Sequence, residues 1–282
     1  MPLCFFASDL HGKPERYLKL IAQIKKDKPA VVLLGGDLLP HGFGIKTGYD
    51  DFFMDFLLSG FLSLKKSMGK DYPLILLILG NDDPRVNEED FIEAQKSGVW
   101  IYLHEKKHEF RGFTFYGYAY IPPSPFRLKD WERYDVSRYA DPGCIHPTEG
   151  FFTVEPEEDI EYQTIQADLE KLTSQDDLSK VIMLFHSPPY DTHLDRAALD
   201  GMVIDHVPLD MHVGSIAIKR FIEERKPLIT LHGHIHESTR ITGHWHENIG
   251  GTLSVNAAWD GPELSLVIFD PEEPDKIERK LI

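Results

Sequence analysis

Five short apolar runs in this sequence each end in side chains able to hold a metal ion: Asp9-Leu10-His11, Gly36-Asp37, Asn81-Asp82-Asp83, Phe185-His186 and Gly233-His234-Ile235-His236. Singly, none carries weight. A strand-end Asp is ordinarily a turn former or helix cap, a lone His a satisfied core or surface residue, and Gly-Asn-Asp an ordinary turn. Together they form a pattern that turn chemistry would have to produce five times over. Imidazole, carboxylate and amide oxygen in one set suit Mn, Fe, Co or Zn, and the lack of thiolates among them argues against a structural zinc cluster. Asp9, His11, Asp37, Asn81, His186, His234 and His236 make seven ligands, too many for one tetrahedral ion. They suit two ions about 3.5–4 Å apart sharing one carboxylate, the arrangement that clamps the attacking and leaving oxygens of phosphoryl transfer.

For residues so distant in sequence to meet, the runs must be strands of an α/β architecture whose carboxyl ends face one crevice. Leu3 to Ala7 reads as a buried strand, too short for a helix. Behind Pro14, the spacing of Tyr17, Leu20, Ile21 and Ile24 predicts a helix, and Ala30 to Leu34 a second strand. Strand, helix, strand implies a right-handed parallel crossover. The pattern repeats with a helix near Asp51 to Lys66 and a strand over Leu74 to Leu79. A short helix after Asn87, with Asp90 as a capping-box partner, leads to the run Val99 to Leu103 and a hairpin through Phe113 to Tyr116. Residues 120–158, rich in Pro, aromatic and charged residues, read as a long functional loop or lid. A helix near Asp159 to Leu172, a strand over Val181 to Phe185 and a helix over Gly214 to Glu224 follow. From Leu228 onward, short runs between Gly, Asn and Pro predict antiparallel strands at the end of a mixed sheet. One domain over residues 1–282 is expected.

The chain carries 30 Lys and Arg against 46 Asp and Glu, a formal charge of −16, so its mean field repels nucleic-acid polymers and anionic membranes. Two bound dications would override that field locally and still attract one phosphate. The two cysteines, Cys4 and Cys144, do not suggest a disulfide framework. The opening MPLCFFASDLHG lacks the basic stretch of a signal peptide, and no apolar run approaches the ~20 residues that span a bilayer. A cytoplasmic location is the expectation, with the oligomeric state left open.

The series SDLHG, GGDL, GNDD, FHSPP and GHIH, spanning Asp9 to His236, resembles the calcineurin-like metallophosphoesterase superfamily. The details HSPPYDTHLD, HVGS and GHIHES are most similar to a prokaryotic branch related to cyclic-nucleotide phosphodiesterases. The resemblance implies an α/β fold, a four-layer α/β/β/α sandwich with mixed sheets. It places Asp9, His11 and His236 on a first metal, Asn81, His186 and His234 on a second, and Asp37 between them. It also implies a metal-bridging hydroxide as nucleophile and no covalent phosphoenzyme. The expected activity is two-metal-dependent hydrolysis of a phosphomono- or phosphodiester, on a small soluble substrate, with manganese as the expected ion and Fe, Zn, Ni or Co as alternatives. A noncatalytic scaffold of the same fold is a second reading, weakened because all seven ligand positions are filled. A metal-dependent nuclease is a third, weakened by the acidity.

The family commonly has Gly-Asn-His where this chain has Gly80-Asn81-Asp82. Asp82 is therefore expected to contact the leaving group or a metal-bound water, and it donates a proton only as a neutral acid. His193 is a rival donor, although His193, His41 and His104 each read as surface histidines. His212 opens the stretch His212 to Ser215 at a helix start, whose free amides suggest an anion site and a substrate contact. Arg127, Arg133 and Arg138 are candidates to neutralise a phosphate against Tyr or Trp faces, with solvation expected for at least two of them.

Overall fold

The computed structural model describes residues 3–40, 48–156 and 159–282. Cys4–Ala7 (β1), Val31–Gly35 (β2) and Leu74–Ile78 (β3) pair in parallel, with Cys4 opposite Val31 and Val31 opposite Leu74. All but Leu74 are buried, as near-continuous apolar runs require in a sheet covered on both faces. The crossovers are helical. Helix α1 (Pro14–Asp27) begins on its proline and buries Tyr17, Leu20 and Ile24. The second crossover starts as a π-helical stretch, Phe52–Leu58, which Asp51 caps by accepting from the Met54 amide, and continues as α2 (Ser59–Met68). Helix α3 (Glu88–Ala94) forms as expected, but Asn87 makes no side-chain cap, so the predicted capping box is absent. Ile101–Tyr102 (β4) then extends this sheet beside β3.

Lys106–Phe110 (β5) and Phe113–Tyr118 (β6) form the expected hairpin, which belongs to a second sheet. There β6 lies parallel to Val181–Phe185 (β7), and β7 parallel to Ile229–His232 (β10). Between β7 and β10 come a two-stranded ribbon, Val203–Ile204 (β8) with Val207–Pro208 (β9), and helix α5 (Ile216–Arg225). Helix α4 (Ile165–Thr173) precedes β7 and packs on α5.

The expectation of an antiparallel tail is corrected in part. Thr252–Asn256 (β12) runs parallel to β10, and among the tail strands only His246–Ile249 (β11), Ser265–Phe269 (β13) and Glu278–Leu281 (β14) are antiparallel to their neighbours. The short helix α6 (Ser238–Thr242) reverses the chain between β10 and β11, so the hairpin β11–β12 brings β12 back in the direction of β10. Strands β13 and β14 leave this sheet and complete the first one beside β1. The result is two six-stranded mixed sheets that touch through β2 with β7 and β3 with β6. Helices α1 and α2 pack together on the first sheet and α4 and α5 on the second, giving the α/β/β/α order. Among the described residues no helix is long and apolar enough to cross a membrane.

Within the segment expected over 120–158, the described residues 120–156 differ between their two ends. Tyr120, Ile121, Lys129, Asp130, Trp131, Glu132 and Tyr134 are buried, and the stretch closes on itself through Ile121 N to Trp131 O (2.9 Å) and Arg133 N to Ile121 O (3.0 Å). Lys129 and Glu132, both fully buried, pair at 2.5 Å. Farther along, Tyr139 and Phe151 face solvent. Arg133 lies 4.1 Å over the Tyr120 ring and 3.2 Å from the Asp168 carboxylate, whereas Arg138 pairs with Glu161 at the surface and Arg127 is exposed.

Candidate metal centre

Strands β1, β2, β3, β7 and β10 all point their carboxyl ends at one place, and the residues singled out above follow those ends. Asp9, His11, Asp37 and His236 each offer one ligand atom, and these atoms lie within 4.8 Å of one another. His11 Nε2 stands 3.0 Å from His236 Nε2, which stands 3.0 Å from Asp9 Oδ1. The adjoining half is built on β3 and β7. His186 Nε2 lies 3.0 Å from Asn81 Oδ1 and 3.4 Å from Asp37 Oδ2, while its Nδ1 is 2.8 Å from the Gly35 carbonyl. In the neutral ring, a proton on Nδ1 donated to Gly35 leaves the Nε2 lone pair facing two oxygens. Imidazole nitrogens and oxygens converging at such distances form a set that a shared proton or a metal ion can bridge, which is the chemistry of a metal-ligand set. Asp37 Oδ2 also lies 3.9 Å from His11 Nε2, so this carboxylate stands between the two halves. The His234 ring centre is 5.2 Å from that of His186.

Holding these groups together strains the backbone. Asp9, His11, Asp37 and His234 adopt φ of 57°, 47°, 52° and 71°, a left-handed region that costs an L residue about 1–2 kcal/mol. The loops after β1 and β2 fix each other through Asp9 N to Gly36 O (3.0 Å) and His11 N to Asp37 O (2.7 Å). The His234 amide donates to Asp9 Oδ1 at 3.1 Å. Two glycines permit the close approach. A Cβ on Gly80 would collide with Asp37 Oδ1 and lie 2.6 Å from His186 Cε1, and one on Gly233 would collide with Ser8 Oγ and meet Asp9 Oδ2.

The electrostatics match a site built for positive charge. Burial raises the Asp9 carboxyl, but the imidazoles of His236, His186 and His11 outweigh it and hold the group well below the usual range. Asp37 behaves alike, burial being overcome chiefly by His186. Burial lowers His186, yet Asp37 and Asp9 reverse this and lift it to about 10. His234, buried and beside His186, falls to about 3.

Two residues outside the seven expected ligands position the site: Arg16 had no signal in the sequence, and Asp83 stood in the run Asn81-Asp82-Asp83 with no positioning role read from it. Arg16, on α1, donates to the Asp9 carbonyl (2.6 Å) and to the Gly261 carbonyl (2.5 Å), tying the Asp9 turn to the far end of the chain. Asp83 accepts from the amides of Leu38, Leu39 and Gly80 at 2.9, 2.7 and 2.9 Å, so it joins the loops after β2 and β3. Burial and the nearby Asp37 push its carboxyl up to about 7.

Asp82 stands at the rim, with 19% of its side chain exposed and its Oδ2 at 3.7 Å from His11 Nδ1. Its amide donates to Asp37 Oδ1 (2.9 Å), and its Oδ1 accepts from Asn81 Nδ2 (3.1 Å). The anion site expected at the start of α5 is corrected: the Ser215 hydroxyl and the Asp135 carboxylate already accept the amides of residues 216–218. His212 turns its ring into its own loop, 2.7 Å from Asp195 and 3.6 Å from Asp191. His193 is exposed and faces Glu247, but His104, expected at the surface, is buried among Tyr120, Trp131 and Tyr118. His41 lies outside the described residues.

Two mixed sheets between helices, with carboxylates and imidazoles gathered at their strand ends, define a metallophosphatase fold. A family model described as calcineurin-like phosphoesterase matches residues 4–238, and the chain belongs to that family. An uncharacterized protein of Methanocaldococcus jannaschii, MJ1162, is 37% identical over 81 residues, which is 28% of this chain and 31% of that protein. The chain thus matches less than a third of that relative's length. The crystal structure of TT1561 of Thermus thermophilus superposes with a TM-score of 0.58 at 16% identity, over 99% of this chain and 98% of the other. A further solved structure reaches 0.60 at 17% identity with the same coverage. At these identities the likeness is one of fold.

Proposed function

We propose that the protein hydrolyses small phosphomonoesters or phosphodiesters with two divalent transition-metal ions, manganese first among them and Fe, Zn, Ni or Co as substitutes. One observation carries the reading: carboxylate, amide and imidazole atoms converge in two adjoining groups, Asp9 with His11 and His236, and Asn81 with His186, with Asp37 between. A bound metal pair supplies an activated water and neutralises the charge that develops on the phosphoryl oxygens. The chain's own part is orientation. The Gly35 carbonyl holds the His186 tautomer, the Asp82 amide holds Asp37, and the strained turns at Asp9 and Asp37 aim both carboxylates inward.

Asp82 is assigned the leaving-group side of the site, since it is the partly exposed carboxylate at the rim. Asp82→Asn is expected to slow an unactivated alkyl ester more than an aryl ester whose leaving group needs no proton. Equal rates on both, unchanged from wild type, dismiss that role. The charge of −16 favours a small soluble substrate over a polynucleotide. A cytoplasmic setting suits a chain whose two cysteines, Cys4 and Cys144, do not suggest a disulfide framework.

The test is elemental analysis of the purified chain with a turnover screen over cyclic nucleotides, nucleotide monoesters and diesters and aryl phosphates, with Mn, Ni, Zn and Mg. Two bound ions per chain and hydrolysis of a small ester are expected. Absence of transition metal together with inertness in added Mn points to a binding scaffold, and single-stranded DNA turned over faster than aryl diesters points to a nuclease.

A further inference from the structure

We infer that residues 120–135 brace the half of the centre that carries Asn81 and His186, and that Trp131 and Asp135 are positioning residues for the second metal ion. The inference rests on the proposed function and deepens it. His186 Nε2 and Asn81 Oδ1 stand 3.0 Å apart although they hang from different loops, one after β7 and one after β3. A single stretch of chain grips both loops. On the Asn81 side, buried Trp131 donates its indole Nε1–H to the Asp83 carbonyl (2.7 Å), two residues past Asn81. Beside it, Asp130 accepts the Arg85 amide (2.7 Å) and the Thr153 hydroxyl (2.6 Å), while the Arg85 guanidinium lies 5.1 Å over the Trp131 ring.

On the His186 side the grip passes through the start of α5. Asp135 accepts from the Ser215 hydroxyl (2.5 Å) and from the amides of Ile216 (2.6 Å) and Ala217 (3.1 Å). Ser215 in turn donates its amide to the Pro188 carbonyl (2.9 Å) and accepts the Tyr190 amide (3.0 Å), two and four residues past His186. Between these ends the stretch is made stiff by the pairing of residue 121 with 131 and 133 and by the Lys129–Glu132 ion pair, to which Ser124 adds its amide at 2.9 Å. A rigid body fastened to two loops sets the distance between the ligands they carry. Groups hydrogen-bonded directly to a ligand typically change metal affinity 10- to 100-fold when removed, and Trp131 and Asp135, which act one contact farther out, are expected at the lower end of that range.

The first metal's ligands are held otherwise, by Arg16 on the Asp9 carbonyl and by the mutual amide bonds of the loops after β1 and β2. The brace therefore bears chiefly on the second ion, reaching the first only through Asp83 and the loop that carries Asp37, and a bias toward one ion is what a merely structural role would not produce. The test uses metal-stripped full-length chain titrated with Mn by calorimetry, with the spin coupling of the Mn pair read by electron paramagnetic resonance. Trp131→Phe keeps the ring and removes the donor, and Asp135→Asn keeps the shape and weakens the cap. Each is expected to loosen one of the two Mn affinities roughly tenfold, to leave the other within about twofold, and to diminish the coupled-pair signal. Phe61→Leu, a buried substitution on α2 outside this stretch and both gripped loops, is expected to lower the melting temperature with both Mn affinities unchanged.

Unchanged affinities in both Trp131→Phe and Asp135→Asn overturn the brace while leaving the two-metal reading intact. So does an equal weakening of both ions in step with a fall in melting temperature. Wild-type chain that takes up one Mn or none overturns the proposed function and this inference with it.

Discussion

Asp9, His11 and His236 sit on the ends of β1 and β10, whereas Asn81 and His186 sit on the ends of β3 and β7, and the two groups are secured by different means. The first is locked from within. Asp9 touches His236 and the His234 amide directly, its turn is hydrogen-bonded to the turn carrying Asp37, and Arg16 pins it from beneath. The second has inner ties, His186 to the Gly35 carbonyl and the Asp82 amide to Asp37, and is held in addition from outside, by a segment that contributes none of the seven proposed ligands. A self-locked group survives changes in its surroundings as long as its backbone turns persist. A braced group transmits changes from a surface segment to a ligand distance, so this half is where substitutions far from the ligands are felt.

That contrast can be broken at several points. The largest effect is expected at Asp37, which faces both halves. Asp37→Asn removes the shared charge and should lower turnover by on the order of a thousandfold while reducing bound metal below two ions, checked by kinetics with elemental analysis. Retention of both ions and full rate would show that the halves do not share this group. Next come the two glycines. Gly80→Ala drives a methyl against Asp37 and His186, and Gly233→Ala drives one against Asp9 and Ser8. Each should cost activity about a hundredfold, as ångström-scale misplacement does, with loss of one ion in each case and not the same one.

A smaller change is expected from Arg16→Met, the counterpart of the brace substitutions. It leaves the carbonyls of Asp9 and Gly261 without their donor, costing about 1–3 kcal/mol of stability. Mn titration should show the ion that Trp131→Phe leaves alone weakened roughly tenfold.

The smallest effect concerns pH. Burial, aided by Arg85, Arg133 and Lys106, holds His104 well below its ordinary 6.5, with Glu105 at 3.8 Å as the opposing carboxylate, so the folded chain keeps this ring neutral. The unfolded chain takes up a proton on this ring as pH falls through 6.5 and the folded chain does not, so stability drops below that pH and is unaffected above it. The slope is at most about 1.4 kcal/mol per pH unit for one group. His104 packs against Trp131 and Tyr120, so the loss falls on the braced side. Thermal melts at pH 7 and pH 5 should show a shallower decline for His104→Gln than for wild type, and identical declines would remove this histidine from the account.

Much of this was legible in the residues themselves. The strands β1, β2, β3 and β7 announce themselves as apolar runs closed by Gly, Asp or His, and helix α1 as a periodic stretch behind a proline, because both depend on local pattern. The direction of β10 and β12 was not legible, since a short apolar run says nothing of which edge it joins or which way it points. The α5 anion site was misread because Asp135, eighty residues before Ser215, fills it. His104 read as a surface residue because no local period marks the aromatic box that Tyr118, Tyr120 and Trp131, together with nearby Tyr102, build around it.

By itself, the order of residues determined which chemical groups the protein owns and that they stand at the ends of strands, because strand-forming runs and the polar turns that stop them are properties of neighbours. Only the tertiary structure decided how those ends meet: that His186 faces Asn81 and Asp37, that Arg16 and Asp83 hold the turns, and that residues 120–135 fasten two loops. Apart from Arg16 on the Asp9 carbonyl, these are contacts between segments tens to hundreds of residues apart, and their geometry follows from the packing of two sheets, which no short stretch of sequence encodes.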